Sequence, residues 1–432
     1  MQPSVSVGLM TAPKVNFSLT GIYSTENHDI VSGRQEAEMS DSGLTFLWNG
    51  ANYTSLIFTP SSVEGDSFEV DDITIGVKFH WERRENQRFR GALKLLADNG
   101  AITVINIVDV EEYLRSVISS EMSAKASINL LRAHAVISRS WLMAQLEASD
   151  GDNNAGREVV IRDIPGERIR WWDRSNHSLF YVCADDHCQR YQGIGRIIRP
   201  EAASAVDDTR GEVLTYNGKI CDARFSKCCG GALETFDTCW DDTPHPYLRA
   251  VRDNLSESPL PDLSNEEKAR EWIMGSPEAF CNTSNERILS QVLNAYDRET
   301  ADFYRWEISI SRQELSQLFT AKTGVDLGMI LSLTPLKRGK SGRISRLEVK
   351  GTAGSIIIGK ELEIRRALST THLYSSAFVV ETAGDTFRFR GAGWGHGVGL
   401  CQIGAAVMGD RGFSYREILS HYYKDTEITR LY

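Results

Sequence analysis

With 432 residues, 41% of them hydrophobic, the chain can bury more than one core, and its length points to two or three domains. Lys+Arg 48 against Asp+Glu 58 gives a net charge of -10, and no basic cluster is longer than "KRGK", which excludes an electrostatic nucleic-acid binder. No run of about eighteen apolar residues is present, so no membrane-spanning helix is expected, and the opening "MQPSVSVGLM" shows no signal peptide.

Residues 3 to 108 alternate apolar and polar side chains in "SVSVGLM", "FSLTGIYS", "TFLWNG", "SLIFTP", "DDITIGVKFH" and "AITVINIV". Period-two runs broken by Asn-Gly, Gly and Pro predict short strands. The period changes at "VEEYLRSVISSEM", which predicts a short helix. "SINLLRAHAVISRSWLMAQLEA" follows, with Ser127 as its N-cap. Leu130, Ile137 and Trp141 mark one face of that helix and Leu131, Ala135 and Leu142 another, so it is expected to be buried.

Strands and loops are expected from about 176 to 253. Residues 262 to 326 are more charged and helical, with "NEEKAREWIM" and "SRQELSQLFTAKTG" as the clearest helices, the second stopped by its glycine. "GKSGRISRLEVKG" returns to strand texture, and "SYREILSHYYKDTEI" predicts a short amphipathic helix and a tail. The expected fold class is α+β, with mostly antiparallel sheets around a buried core helix and a helical insert. The expected division is 1–108 (β-rich), 109–255 (core), 256–340 (helical, charged insert) and 341–432 (the rest of the core).

Eight cysteines in this length are too sparse for a disulfide scaffold. "HSLFYVCADDHC" supplies His177, Cys183, His187 and Cys188, a donor set that zinc accepts tetrahedrally. Four protein ligands leave no open position, so such a zinc is structural. Two core thiols and two surface histidines are the bland alternative. Cys221, Cys228, Cys229 and Cys239 form a second cluster, read as reduced buried thiols in preference to a metal site because adjacent cysteines rarely share one ion.

"RGAGWGHGVGLCQIGA", residues 390 to 405, surrounds Trp394 and His396 with glycine. A phosphate loop would need a strand-turn-helix context or a following Lys-Ser/Thr, and neither is present. The stretch reads instead as a site wall, or as a tight loop packed on the core helix. Arg139 interrupts an apolar helix face, where it pairs with a carboxylate, orients substrate or snorkels to the surface.

Four stretches in order, "EEYLRSVISSEMSAKASINLLRAHAVISRSW", "KCCGGALETFDTCWDDTPHPYL", "SSAFVVE" and "GAGWGHGVGLCQIGA", resemble the SpoIID/LytB family over essentially residues 4 to 432. Ser123 stands where the family's turn has proline, Arg139-Ser140-Trp141 replaces Arg-Thr-Tyr, and Lys227-Cys228-Cys229 precedes Gly230-Gly231 in place of small hydroxyls. The resemblance implies lytic transglycosylase activity on peptidoglycan glycan strands, cutting the MurNAc–GlcNAc bond with a 1,6-anhydro product, and Glu121 as its acid. It implies a cell-envelope or periplasmic setting, a cell-wall amidase as partner, and zinc on two His and two Cys in the corresponding loop. Arg139, Gly230, Gly231, Glu234, Trp240, Trp394, His396 and Gln402 are the expected substrate contacts.

A lone glutamate is chemically sufficient for that reaction, because the sugar's own 6-hydroxyl is a tethered nucleophile and one carboxyl can act first as acid, then as base. Two other readings remain. A non-catalytic glycan-binding enhancer of an amidase would stack Trp394, Trp240 and Trp141 on sugars. A zinc hydrolase using His396 with His177 or His187 lacks any open-site spacing.

Overall fold

The computed structural model describes residues 2–76, 82–123, 126–151, 161–171, 177–185, 187–197, 200–256, 258–292 and 302–432. The last part of the strand expected in "DDITIGVKFH", from residue 77, lies outside them. The protein is α+β, with antiparallel pairing in most of its sheets.

Residues 4–109 build one large sheet. Ser4–Ala12 pairs antiparallel with Ala101–Asp109, which pairs in turn with Ala92–Asp98. Alternation along these strands sends Val5, Val7, Leu93, Leu95, Ile102 and Val104 into the core. At its edge the two-residue strand Val182–Cys183 joins parallel to Ser4–Ala12, which fixes the start of the Cys/His loop against the sheet.

The chain leaves this sheet directly into helix α1 (Val110–Glu121), capped by the Asp109 carboxylate on the Glu112 amide. Helix α2 (Ile128–Gly151) follows, with the Ser127 hydroxyl accepting from the Leu130 amide as its cap. Leu130, Leu131, Ala133, Ala135, Val136, Ile137 and Leu142 are all buried, and Trp141 is 4% exposed. Each large apolar side chain buried in this way contributes roughly 1.5–3 kcal/mol, so α2 is the main hydrophobic strut of the molecule. Packed on it are α3 (Pro200–Asp208), α9 (Gln402–Asp410), α10 (Tyr415–Tyr422) and the strand Glu212–Tyr216, which pairs with Glu427–Arg430 from the chain's end. The last strand of the sequence thereby closes on the centre of the fold.

A second core lies between residues 306 and 389. The strands Ile330–Arg338, Ile344–Gly351 and Ser355–Gly359 form a meander, and Arg305–Ser311, Thr386–Ala392 and Phe378–Ala383 form another sheet. Helices α7 (Arg312–Thr323) and α8 (Glu361–Ala367) pack on the meander. Two strands from far upstream, Ile161–Ile164 and Glu167–Arg170, extend the same meander. The organisation differs here from the expected helical insert at 256–340. Helices α5 (Glu266–Met274), α6 (Glu286–Val292) and α7 are present, but the segment also supplies two strands, and residue 340 falls in the turn of one hairpin. Long-range pairing with residues 344–392 decided this, and no local period reports such a pairing.

Candidate functional site

Glu121 is the last residue of α1 and is 8% exposed. Its Oε1 accepts a hydrogen bond from the Arg190 amide at 3.2 Å. No ion pair reaches it among the described residues. The turn that follows is held by the helical segment: Ser123 donates its amide to the Gln291 carbonyl (2.9 Å), and the Ser127 amide donates to the Gln291 side chain (3.1 Å). Thus α6 and the Cys/His loop grip the Glu121 turn from two sides. Neither Gln291 nor Arg190 belongs to a motif, so local pattern marks neither of them.

His177, Cys183, His187 and Cys188 come together as the spacing predicts, with one ligand atom of each within 4.8 Å of the others. Cys188 Sγ lies 3.5 Å from His177 Nε2 and 3.6 Å from His187 Nδ1. The Cys183 thiol is held well below its usual range by hydrogen bonding from Cys188 and the two histidines, against burial, which is the electrostatic state a metal ligand needs. Two thiols and two imidazoles at this separation fit a tetrahedral ion, and the loop runs through Gln189 straight to the amide on Glu121.

The glycine-rich stretch sits against the "KCCGG" turn. Cys228 and Trp394 exchange two backbone hydrogen bonds (3.0 and 2.8 Å), and the Glu234 amide donates to the Gly397 carbonyl (2.9 Å). Gly393, Gly395, Gly397 and Gly399 all have positive φ, as do Gly230 and Gly231. A Cβ on Gly230 would stand 2.8 Å from the Gly393 nitrogen, and one on Gly393 would stand 2.7 Å from the Cys228 carbonyl. Two backbones in contact therefore require glycine at both positions. Gly393→Ala is expected to destabilise the fold by about 2–4 kcal/mol, from the left-handed backbone and the overpacked contact together. Urea unfolding of the variant measures this, and a midpoint matching wild type would contradict the packing account.

Arg343, fully buried and singled out by nothing in the sequence, ties this loop to the second core. Its guanidinium donates to the Gly395 carbonyl through Nε (3.1 Å) and Nη2 (3.0 Å) and to the Cys229 carbonyl (3.3 Å). Glu234 is also fully buried. Its carboxylate accepts from the Lys340 amide (2.9 Å), the Ser341 amide (3.1 Å) and the Ser341 hydroxyl (2.7 Å). Burial nevertheless pushes its carboxyl up.

The aromatic residues are in contact with protein. Trp394 is stacked on Phe303 at 4.8 Å and meets Tyr374 edge-on, while Trp240 lies under the Arg224 guanidinium (4.3 Å) and beside His396 (4.8 Å). His396 Nδ1 accepts from the Val398 amide (3.0 Å), and burial with Arg224 and Arg343 nearby pushes its imidazole well down, so it is neutral at physiological pH. Beyond Trp240, Phe236, Asp237, Asp242, His245, Lys337 and Lys340 help to line an open groove of about 790 Å³.

Gln402 and Arg139 lie deeper. Gln402 Nε2 donates to His134 Nε2 (3.1 Å), leaving His134 Nδ1 to donate to Ser138 (3.1 Å). Burial pushes the His134 imidazole down to about 3, with Lys227 adding to the effect. An unfolded chain takes up this proton below about pH 6.5 and the native one does not, so stability falls as pH drops from 6.5 towards 3. At pH 5 the cost is about 2 kcal/mol, and urea unfolding at pH 7 and 5 should show that difference shrinking in His134→Gln. An unchanged pH difference in the variant would refute the assignment.

Arg139 is 0% exposed and forms a two-pronged pair with Glu111 (2.9 and 2.7 Å), with further bonds to the Glu212 and Val206 carbonyls. Of the readings open at Arg139, the structure shows the carboxylate partner.

A family model described as Stage II sporulation protein matches residues 98–216, from the inner strand Ala101–Asp109 of the large sheet through α1, α2 and the Cys/His loop. Over these residues the chain is similar to the SpoIID family. Residues 234–399 of this SpoIID-type chain match a second model, described as a domain of unknown function, DUF8618. Stage II sporulation protein D of Bacillus amyloliquefaciens is 24% identical over 322 residues, 74% of each chain. An uncharacterized protein of Brachyspira hyodysenteriae is 24% identical over 84% of this chain and 76% of its own. The amidase enhancer of Bacillus subtilis is 25% identical over 52% of this chain, which spans only 32% of that relative's length.

Proposed function

We propose that this protein is a peptidoglycan lytic transglycosylase with Glu121 as general acid and base. The names of the SpoIID-type relatives point to a cell-wall-related role. The observation that carries the finer reading is the placement of Glu121: a nearly buried carboxyl at a helix end, gripped by neighbouring backbone and paired with no cation among the described residues.

The reaction needs one proton donor and no second carboxylate. Glu121 gives its proton to the glycosidic oxygen as the bond to C1 of MurNAc breaks, and the GlcNAc hydroxyl leaves. The 6-hydroxyl of the same MurNAc then bonds to C1, and the Glu121 carboxylate takes the proton that this hydroxyl loses. Atoms and charge balance, and the acid is regenerated. The tethered nucleophile supplies the entropic advantage that an added water would lack. In this reading the ion held by His177, Cys183, His187 and Cys188 is zinc, and it is structural, fixing the loop that presents the Arg190 amide to Glu121. Trp240, His396 and Trp394 form the neighbouring glycan wall, the cell envelope is the site of action, and a cell-wall amidase is the partner.

The test is mass spectrometry of sacculi digested by the purified protein alone. Products ending in 1,6-anhydro-MurNAc are expected. Binding to sacculi without any such product would replace this reading with that of a glycan-binding enhancer, the role named for the Bacillus subtilis relative.

A further inference from the structure

Cys229, Asp253, Cys281 and Cys401 converge from four separate segments, and one ligand atom of each lies within 4.8 Å of the others. Cys229 follows the paired strand of the "KCCGG" turn, Asp253 lies in the segment after the "HPYL" stretch, Cys281 precedes α6, and Cys401 caps α9. None is more than 2% exposed. The sequence grouped Cys228 and Cys229 with Cys221 and Cys239. The fold places those last two elsewhere, Cys221 near Tyr247 and Asp222, and Cys239 against the His396 carbonyl. Cys281 and Cys401 take their places; the Cys228 thiol touches both of them, but of the adjacent pair it is Cys229 that also comes within reach of Asp253.

We infer that these four side chains form a second, fully buried metal site for a soft divalent cation of the zinc class. Three thiolates and one carboxylate make a complete tetrahedral donor set. The Cys229 and Cys281 sulfurs stand 3.5 Å apart, close to the roughly 3.8 Å edge of a tetrahedron with bonds of about 2.3 Å. All four cysteines of this region, Cys228 included, are free thiols.

The surroundings are those of a ligand set. Cys401 Sγ accepts from the Cys229 amide (3.3 Å) and from the Gly404 amide at the start of α9 (3.5 Å), which favours a thiolate there. Asp253 is a buried carboxylate with no Lys or Arg partner among the described residues. It accepts from the Tyr422 hydroxyl (2.8 Å) and the Cys281 amide (3.1 Å), and His421 Nε2 lies 3.5 Å away. Such bonds orient a ligating oxygen but leave its charge without a full counter-charge, which a divalent ion would supply. Gly404 makes the room, since a Cβ there would stand 2.7 Å from the Asp253 carboxylate. The ion would staple the loop before α6 to the core, and α6 carries the Gln291 that holds the Glu121 turn.

The inference stands apart from the glycosidase reading, and metal counting tests it without any activity assay. The full chain, purified without chelator, incubated with zinc chloride and gel-filtered, is expected to carry two zinc ions per chain by plasma mass spectrometry. Cys188→Ser, which disables the Cys/His loop, should retain one, as should Cys281→Ser, and the double variant none. A Cys188→Ser chain that folds and holds no zinc would overturn the inference, whatever Cys281→Ser does. So would an intact mass lighter by two hydrogens, assigned by peptide mapping to a Cys229–Cys281 disulfide. If Cys281→Ser does not fold, the count on Cys188→Ser decides alone.

Discussion

Glu121→Gln is expected to lower release of anhydro-ended muropeptides by about 10²–10⁴-fold, the range that a positioned proton donor supplies, while leaving thermal unfolding unchanged. Glutamine keeps the shape of the side chain and an oxygen that accepts from the Arg190 amide, so the turn between α1 and α2 survives. What it loses is the proton for the leaving oxygen and the base for the 6-hydroxyl. Since both steps run through one group, no second carboxyl compensates. Loss of product together with a lowered melting temperature would indicate a structural role for Glu121, and substantial turnover by the folded variant would exclude it as the acid. Sacculus binding measured alongside separates lost chemistry from lost recognition, because only the first is expected to change.

The second large effect is at the centre of the fold. Arg139→Met is expected to destabilise the protein by about 3–5 kcal/mol, since it leaves the Glu111 carboxylate buried without its cation. Glu111 also accepts from the Gly211 amide (3.2 Å) and the Tyr432 hydroxyl (2.7 Å), so this one carboxylate joins α1, α2, the strand 212–216 and the chain's last residue. Its carboxyl is held below the usual range by Arg139, against burial. Replacing both partners, Arg139→Met with Glu111→Leu, should recover most of the loss, because no uncompensated charge is then left behind. Urea unfolding of the two single variants and the double variant completes the cycle. A single Arg139→Met that unfolds like wild type would mean that the pair contributes no net stability.

These two residues show how far local pattern reaches. The apolar residues on two faces of the helix that carries Arg139 were enough to place it on a buried helix, and buried arginine demands a partner. Which carboxylate would serve was not legible, because Glu111 is 28 residues away and looks, in sequence, like one of two acids opening a helix. The Cys/His loop was legible to the residue, since its four donors fall within twelve positions and local geometry alone brings them together. The second thiol cluster was not, since Cys281 and Cys401 are far from Cys229 in the chain and only the fold brings them together. The glycines of "GWGHGVG" announced a close approach. The backbone of the "KCCGG" turn and the Arg343 guanidinium make that approach.

By itself the sequence determined the strand period in residues 4–109, the burial of α2 and its Ser127 cap, and the compact Cys/His donor set, since each follows from spacing within a short stretch of chain. Only the tertiary structure decided that residues 161–170 join the second core, that Gln291 and Arg190 hold the Glu121 turn, and that three cysteines and an aspartate from four segments meet in one buried place. Those contacts depend on how packed elements close over long loops, and the free energy that selects them is shared among many side chains distant in the sequence.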